Sequence, residues 1–257
     1  MENETATRPP AGLYVVGTPI GNLGDIALRA LATLRAADLA LAEDTRITQR
    51  LLARYDLRVP LLSCHRFREA SRVEDVLARI RGGAVVALVT DSGMPGVSDP
   101  GARIVAACRA AGLPVTAIPG PSAVTAAVAL SGFEGVGFYF AGFLPHKTGA
   151  RARRLAELAA VPDPVVLFES PFRFLRLLDE IESHLPGRRV FAAREMTKRF
   201  EELRLGLPAE LRAAYAGRAI RGELTIVIEP PARRAGGRRT EGDGDPDEAE
   251  PPTATES

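Results

Sequence analysis

The chain has 257 residues, 46% apolar and 25% charged, which is enough to bury a sizeable core and too long for one small domain. No stretch approaches the ~18 consecutive apolar residues of a membrane span, the polar start shows no secretory pattern, and two cysteines, Cys64 and Cys108, exclude a disulfide framework or a cysteine-built zinc site; a cytoplasmic location is expected. The net charge of +1 conceals an asymmetry, because residues 241–257 carry seven acidic side chains and no basic one, leaving +8 on residues 1–240 and favouring an anionic partner for the body.

In chain order, residues 1–11 read as a disordered start. A short apolar run at 13–16 predicts a strand, followed by a Gly/Pro loop to Gly24 and a helix over 26–37 with Asp25 as its N-cap. A strand at 39–42 runs into the cluster Glu43-Asp44-Thr45-Arg46, then a helix over 47–55. A helix over 73–81 stops at Gly82-Gly83, and the continuous apolar run 84–90 predicts a buried parallel strand. Asp99 and Pro100 read as N-cap and first residue of a helix over 100–111, with a strand at 115–118 behind it. After the hinge Pro119-Gly-Pro121 the alternation resumes: a helix over 122–130 with Ser122 as N-cap, a strand at 137–143, a helix at 150–160, a strand at 165–168, a helix at 172–185, strands at 190–193 and 224–228, and a short helix at 209–216 between the last two. Beyond residue 230 the composition turns to Arg, Gly, Pro and acids, which cannot supply a core.

This alternation predicts an α/β fold with mainly parallel sheets covered on both faces. The hinge divides it into an N-terminal domain over 12–119 and a C-terminal domain over 120–231, with a cleft between them and a disordered tail at 232–257. Ligands of such sheets bind beyond the carboxyl ends of strands, so the loops after residues 16, 42, 90, 118, 143, 168 and 193 are the places to look. The loop GTPIGNLGD at 17–25 has neither dinucleotide nor phosphate-loop spacing. The loop DSGMPGVSDPG at 91–101 is stronger, since Asp91 is an acid at the mouth of an apolar strand. Of 33 basic residues only Lys147 and Lys198 are lysines, both after predicted strand ends. An ammonium can be desolvated into a base, whereas a guanidinium keeps its proton. His65, His146 and His184 are too scattered for metal-ligand spacing, and no metal is expected.

Taken together, the segments VGTPIGNLGD (16–25), AEDTR (42–46), TDSGMPGVSDPG (90–101), PGPS (119–122), GFLPHK (142–147), FESPFR (168–173), AREMTK (193–198) and RGE (221–223) resemble the ribosomal small-subunit RNA methyltransferase I family. That family belongs to the tetrapyrrole-methylase-like class of S-adenosylmethionine (AdoMet) enzymes. The resemblance implies a homodimer of two-domain subunits with AdoMet in the interdomain cleft, against Pro19, Ile20, Asp91, Ser92, Gly93, Met94, Ser122, Ala123, Phe168, Gly222 and Glu223. It implies 2′-O-methylation of a cytidine ribose in 16S ribosomal RNA near the decoding centre, on free RNA or the small ribosomal subunit. The chain departs from the family pattern at His65-Arg-Phe-Arg-Glu69, where a His-Asn-Glu-like cluster is common, at Met94 in place of Thr, at Phe172 in place of His, and in its tail.

Chemistry supplies the remaining roles. A ribose hydroxyl attacks poorly while protonated, so a nearby base helps. Lys198 or Lys147 is expected to take the proton with Glu195 or Glu43 orienting it, and Arg46, Arg173 and Arg194 to bind phosphates. The rival readings are a methyltransferase of the same fold acting on a tetrapyrrole or other small molecule, and a non-catalytic RNA-binding assembly factor.

Overall fold

In a computed structural model, which describes residues 8–232, the apolar run at 84–90 forms β4 (Val85–Val89), with all five side chains buried. Alternation of side chains along a strand sends Val85, Ala87 and Val89 to one face and Val86 and Leu88 to the other. Around it lie β1 (Gly12–Val16), β2 (Leu39–Ala42), β3 (Leu61–Ser63) and β5 (Val115–Ile118) in the order β3-β2-β4-β1-β5, every neighbour parallel. Helices α1 (Leu28–Ala36) and α2 (Thr45–Arg54) bury Ala30, Leu34, Leu51 and Leu52 on the first face. Helices α3 (Glu69–Arg81) and α4 (Ala102–Ala110) bury Val76, Leu77, Ile80 and Ile104 on the second, where the free thiols Cys64 and Cys108 also lie.

The second half builds its own sheet from β6 (Tyr139–Phe143), β7 (Val165–Glu169), β8 (Val190–Arg194), β9 (Glu202–Gly206) and β10 (Leu224–Ile228), in the order β6-β7-β10-β8-β9. Helix α5 (Ala123–Ser131) covers one face with Val124 and Ala127. Helices α6 (Thr148–Ala159), α7 (Phe174–His184) and α8 (Pro208–Tyr215) cover the other. Only β6 and β7 pair in parallel; β10 runs antiparallel to both β7 and β8, and β9 antiparallel to β8. The expectation of mainly parallel sheets therefore holds for the first half and fails for the second. A central strand buried on both faces reads as an unbroken apolar run whichever way its neighbours point, and β10 is such a strand.

Two strands escaped the sequence pattern. β3 has three half-buried residues. β9 alternates with its charges inward: Glu202 meets Arg194, Arg204 and Arg218, while Leu203 and Leu205 face out. Inward charges on an edge strand discourage pairing with another chain. Three cap assignments also change. Asp25 closes a 3₁₀ turn at Leu23–Asp25 capped by Asn22, and Ala27 precedes α1. Helix α2 starts earlier than predicted because the Asp44 carboxylate accepts from the Arg46 amide. Helix α4 begins after Gly101, so Asp99 is not its cap and Pro100 is not its first residue. Its amides instead meet a remote acid: Glu69 Oε1 accepts from Gly101 at 3.0 Å, Arg103 at 2.7 Å and Ile104 at 3.3 Å. The disorder expected at residues 1–7 and 233–257 lies outside the described residues.

Candidate active site

The ends of β1, β4 and β5 are held together backbone to backbone. Gly17 N–H donates to the Ile118 carbonyl, and Thr18 and Gly93 exchange hydrogen bonds at 2.9 and 3.2 Å. A Cβ on Gly120 would come within 2.8 Å of the Gly17 backbone, and one on Gly17 within 2.7 Å of Gly120 and of the Met94 sulfur. Only glycine at both positions lets the two loops touch. The loop after β8 closes from the other side. Glu195 and Thr197 both take a left-handed backbone (φ 52° and 65°), the Thr197 hydroxyl accepts from the Asn22 amide, and Lys198 packs where a Cβ on Gly21 would sit.

The loops after β1, β2, β4, β5 and β7, the end of β6 and the turn before β10 surround a cavity of about 450 Å³, within the range of small-molecule sites. Ten of the eleven residues proposed for the cofactor line it: Ile20, Asp91, Ser92, Gly93, Met94, Ser122, Ala123, Phe168, Gly222 and Glu223. Pro19 lines an adjoining hollow of about 380 Å³, which shares Ile20, Asp91, Ser92 and Glu223 with the first. Ser122 does precede α5, but its hydroxyl makes no capping bond, which leaves it available to the cavity. A larger hollow of about 1160 Å³ lies at the opposite strand ends, around Phe133, Asp163 and Glu229, away from all these loops.

The cavity is amphipathic. Ile20, Met94, Val97, Phe143, Phe168 and Leu224 give apolar surface, with Phe140 and Phe143 packed against the Phe168 ring at 5.1 and 5.5 Å. Opposed to it are Glu43, Asp91, Asp99 and Glu223. Burial, reinforced by Glu43 and Asp91, pushes the Asp99 carboxyl up to about 7. Burial also raises Glu43, with repulsion from Asp91 and Asp44 added, and raises Asp91 even though it accepts the Asp44 amide at 3.0 Å. Crowded acids in low dielectric favour either a proton or a cation.

The remaining site candidates separate. Lys198 lines the adjoining hollow, but its ammonium donates to Glu195 at 2.9 Å and Glu223 at 2.7 Å. Partial burial opposes its charge, yet these two carboxylates outweigh burial and hold its pKa above the ordinary lysine value. The expectation of a lysine base at Lys198 is thereby reversed, because a base must be free to lose its own proton. Glu195 is spent on Lys198 and the Glu223 amide. Lys147 is an exposed residue at the start of α6 and lines neither cavity. The Arg194 guanidinium donates to Glu202 and to the carbonyls of Arg221 and Phe200, so its donors already have partners. Arg173 pairs with buried Glu169 and contacts His146. Arg46 is exposed but folds back on Asp44, whose carboxyl it holds down at about 2.

Sequence reasoning missed Asp99 as a cavity acid, along with Ser170 and Thr225. Thr225, a lone hydroxyl inside the run Leu224–Ile228, carried a signal; a Pro-Gly pair directly after Asp99 argues for a turn rather than a helix start.

The family model for tetrapyrrole (corrin/porphyrin) methylases matches residues 12–212. A ribosomal RNA small subunit methyltransferase I from Thermotoga maritima is 46% identical over 216 residues, covering 84% of this chain and 97% of its own. One from Neisseria meningitidis serogroup B is 43% identical over 220 residues (85% and 76%), and one from Mesorhizobium japonicum 44% over 238 residues (91% and 81%). Among solved structures, uroporphyrin-III C-methyltransferase from Thermus thermophilus, complexed with S-adenyl homocysteine, superposes with a TM-score of 0.62 at 20% identity, covering 85% of this chain and 97% of its own. A cobalt precorrin-4 methyltransferase superposes at 0.61 and 20% identity (84% and 94%). At such identities the solved structures share the fold alone.

Proposed function

The chain belongs to the tetrapyrrole methylase family, beside its ribosomal RNA small subunit methyltransferase I members, and on that premise we propose that it methylates the ribose 2′-oxygen of a cytidine in 16S ribosomal RNA near the decoding centre, using AdoMet. The observation that carries the reading is one cavity, mostly apolar with a cluster of carboxylates, drawn from loops of both halves of the chain. Such a cavity suits a molecule that combines a flat heteroaromatic group with a positive charge, and AdoMet has both.

AdoMet supplies an electrophilic methyl group on a sulfonium sulfur. The residues do the rest. Ile20, Met94 and Phe168 offer apolar contact, Ser92, Ser122 and Thr225 offer hydroxyls, and Asp91 balances positive charge, with Glu223 beside it already paired to Lys198. Asp99 replaces the lysines as the proton acceptor for the ribose hydroxyl, since a carboxyl near 7 is half-ionised at neutral pH. Glu43, expected to orient a lysine, acts here by its negative charge, which helps to hold the proton on Asp99. Alignment in a closed cleft supplies much of the remaining acceleration. The cleft walls correspond to domains 12–119 and 120–231, the working unit is a homodimer, and its RNA substrate places it in the cytoplasm. Among the described residues no helix is long and apolar enough to cross a membrane.

Labelled methyl transfer from AdoMet to naked 16S RNA, to isolated small subunits and to a tetrapyrrole tests this directly. Label in the ribose of an RNA cytidine is the expected result. Label in the tetrapyrrole alone, or in nothing while RNA still binds, would overturn it in favour of a small-molecule enzyme or an assembly factor. Sedimentation velocity tests the homodimer; a monomer at working concentration refutes it.

A further inference from the structure

Next to the cofactor cavity the structure holds a second space of similar size, and a groove leads out of it. The hollow of about 380 Å³ borders the cavity through Ile20, Asp91, Ser92 and Glu223. Its other walls are apolar side chains of Leu23, Ile47 and Leu51, with Arg50 at the rim. It continues through Gly21, Leu23 and Lys198 into an open groove that adds Arg54, Tyr55 and Arg199.

Most arginines of the second half are spent on acids: Arg151, Arg173, Arg176, Arg189, Arg194 and Arg218 all have carboxylate partners. Arg50, Arg54 and Arg199 are exposed, and among the described residues none forms an ion pair. Arg46, Arg50 and Arg54 recur every four residues along α2, which puts them on one stripe. Arg54 and Arg199 each lie over an aromatic ring, Tyr55 at 5.9 Å and Phe200 at 5.5 Å, and Phe200 is two-thirds exposed. Unpaired guanidinium groups beside flat rings suit a chain of phosphates and bases.

Resting on the functional reading above, we propose that this hollow is the acceptor site: it takes one unpaired pyrimidine nucleotide swung out of the RNA stack, while Arg50, Arg54 and Arg199 hold the phosphates on either side of it. A nucleotide inside a duplex cannot enter a walled hollow, so the substrate strand is single-stranded or locally opened there. The ribose lies at the border that the hollow shares with the cofactor cavity, with its 2′-hydroxyl turned into the cavity on whose wall Asp99 lies, and the groove fixes the direction of the strand.

The test uses the full chain, AdoMet, and a cytidine-containing single-stranded oligoribonucleotide as probe. Arg50→Gln, Arg54→Gln and Arg199→Gln are each expected to weaken probe binding about fivefold and to reduce the slope of log affinity against log salt by about 0.7. Calorimetric AdoMet affinity stays unchanged. Ile47→Trp, at a partly exposed position on the hollow, fills the space; methyl transfer falls more than tenfold while AdoMet binding persists. If the parent protein methylates RNA and all four variants match it in affinity, salt slope and turnover, the acceptor site is refuted and the function stands. If the parent binds AdoMet but neither binds nor methylates RNA, both fall.

Discussion

A carboxyl that titrates near 7 inside a cavity leaves two opposite marks on behaviour against pH. In the unfolded chain Asp99 ionises at the ordinary aspartate value; in the folded protein it holds its proton up to about 7. Stability contributed by that proton is complete below pH ~4 and is lost as pH rises toward 7, so above 7 the ionised group is a net cost. Asp99→Asn is therefore expected to raise Tm by about 5 °C at pH 8 and to leave it nearly unchanged at pH 4; equal shifts at both values would contradict the assignment. Activity moves the other way. As a base, Asp99 gives a kcat/KM that climbs through pH ~7, and Asp99→Asn loses on the order of a hundredfold or more with that limb abolished. Lys198 makes the contrast. Lys198→Met strands two carboxylates and is expected to cost about 1 kcal/mol in urea unfolding, with Lys198→Arg restoring most of it. A lysine base would show the reverse pattern, an inactive arginine variant of ordinary stability.

Helix α4 depends on an acid borrowed from α3, and through it so does the loop that forms one side of the cavity. Glu69 is buried and its one oxygen serves three amides at the start of α4. Removing it in Glu69→Ala leaves those amides without a partner and is expected to cost about 2 kcal/mol. Because residues 91–101 hang between β4 and that helix start, the same variant should bind AdoMet several-fold more weakly by calorimetry. A variant that loses stability and keeps its affinity would show that the loop is held by the Thr18–Gly93 pair alone. The contact between the loops after β1 and β5 is stricter still: Gly120→Ala drives a Cβ into the Gly17 backbone, and no rotamer relieves a clash with main chain.

Across the whole molecule the charge is divided between a basic body and an acidic end. Deleting residues 241–257 changes the net charge from +1 to +8. The truncated protein is expected to bind RNA more tightly at low salt, with the advantage shrinking as salt screens both charges. Equal affinities at every salt concentration would remove the end of the chain from any part in RNA binding. The two sheets divide the labour differently: the first is parallel throughout and presents its loops at one edge, while the second reaches the same edge with the ends of β6, β7 and β8 and the start of β10. The antiparallel placement of β10 brings Gly222 and Glu223 into the cavity at all; a parallel strand there would present its carboxyl end instead.

Period and punctuation alone set out most strands and helices, the break at Pro119–Pro121 and the loops that matter, because burial on one or two faces leaves its mark on every third, fourth or second side chain. Resemblance of the strand-end motifs added the set expected to contact the cofactor, and the folded chain brings ten of those eleven residues around one cavity. What lay beyond the sequence was everything that depends on a distant partner. The direction of β10, the remote cap from Glu69, the pairing of Lys198 with Glu223, and the crowding of Asp99 by Glu43 each join residues 25 or more positions apart in the chain. A side chain's charge state and role follow from the groups packed against it in space. Local sequence specifies which side chains face inward, and only the closed tertiary structure decides which of them meet.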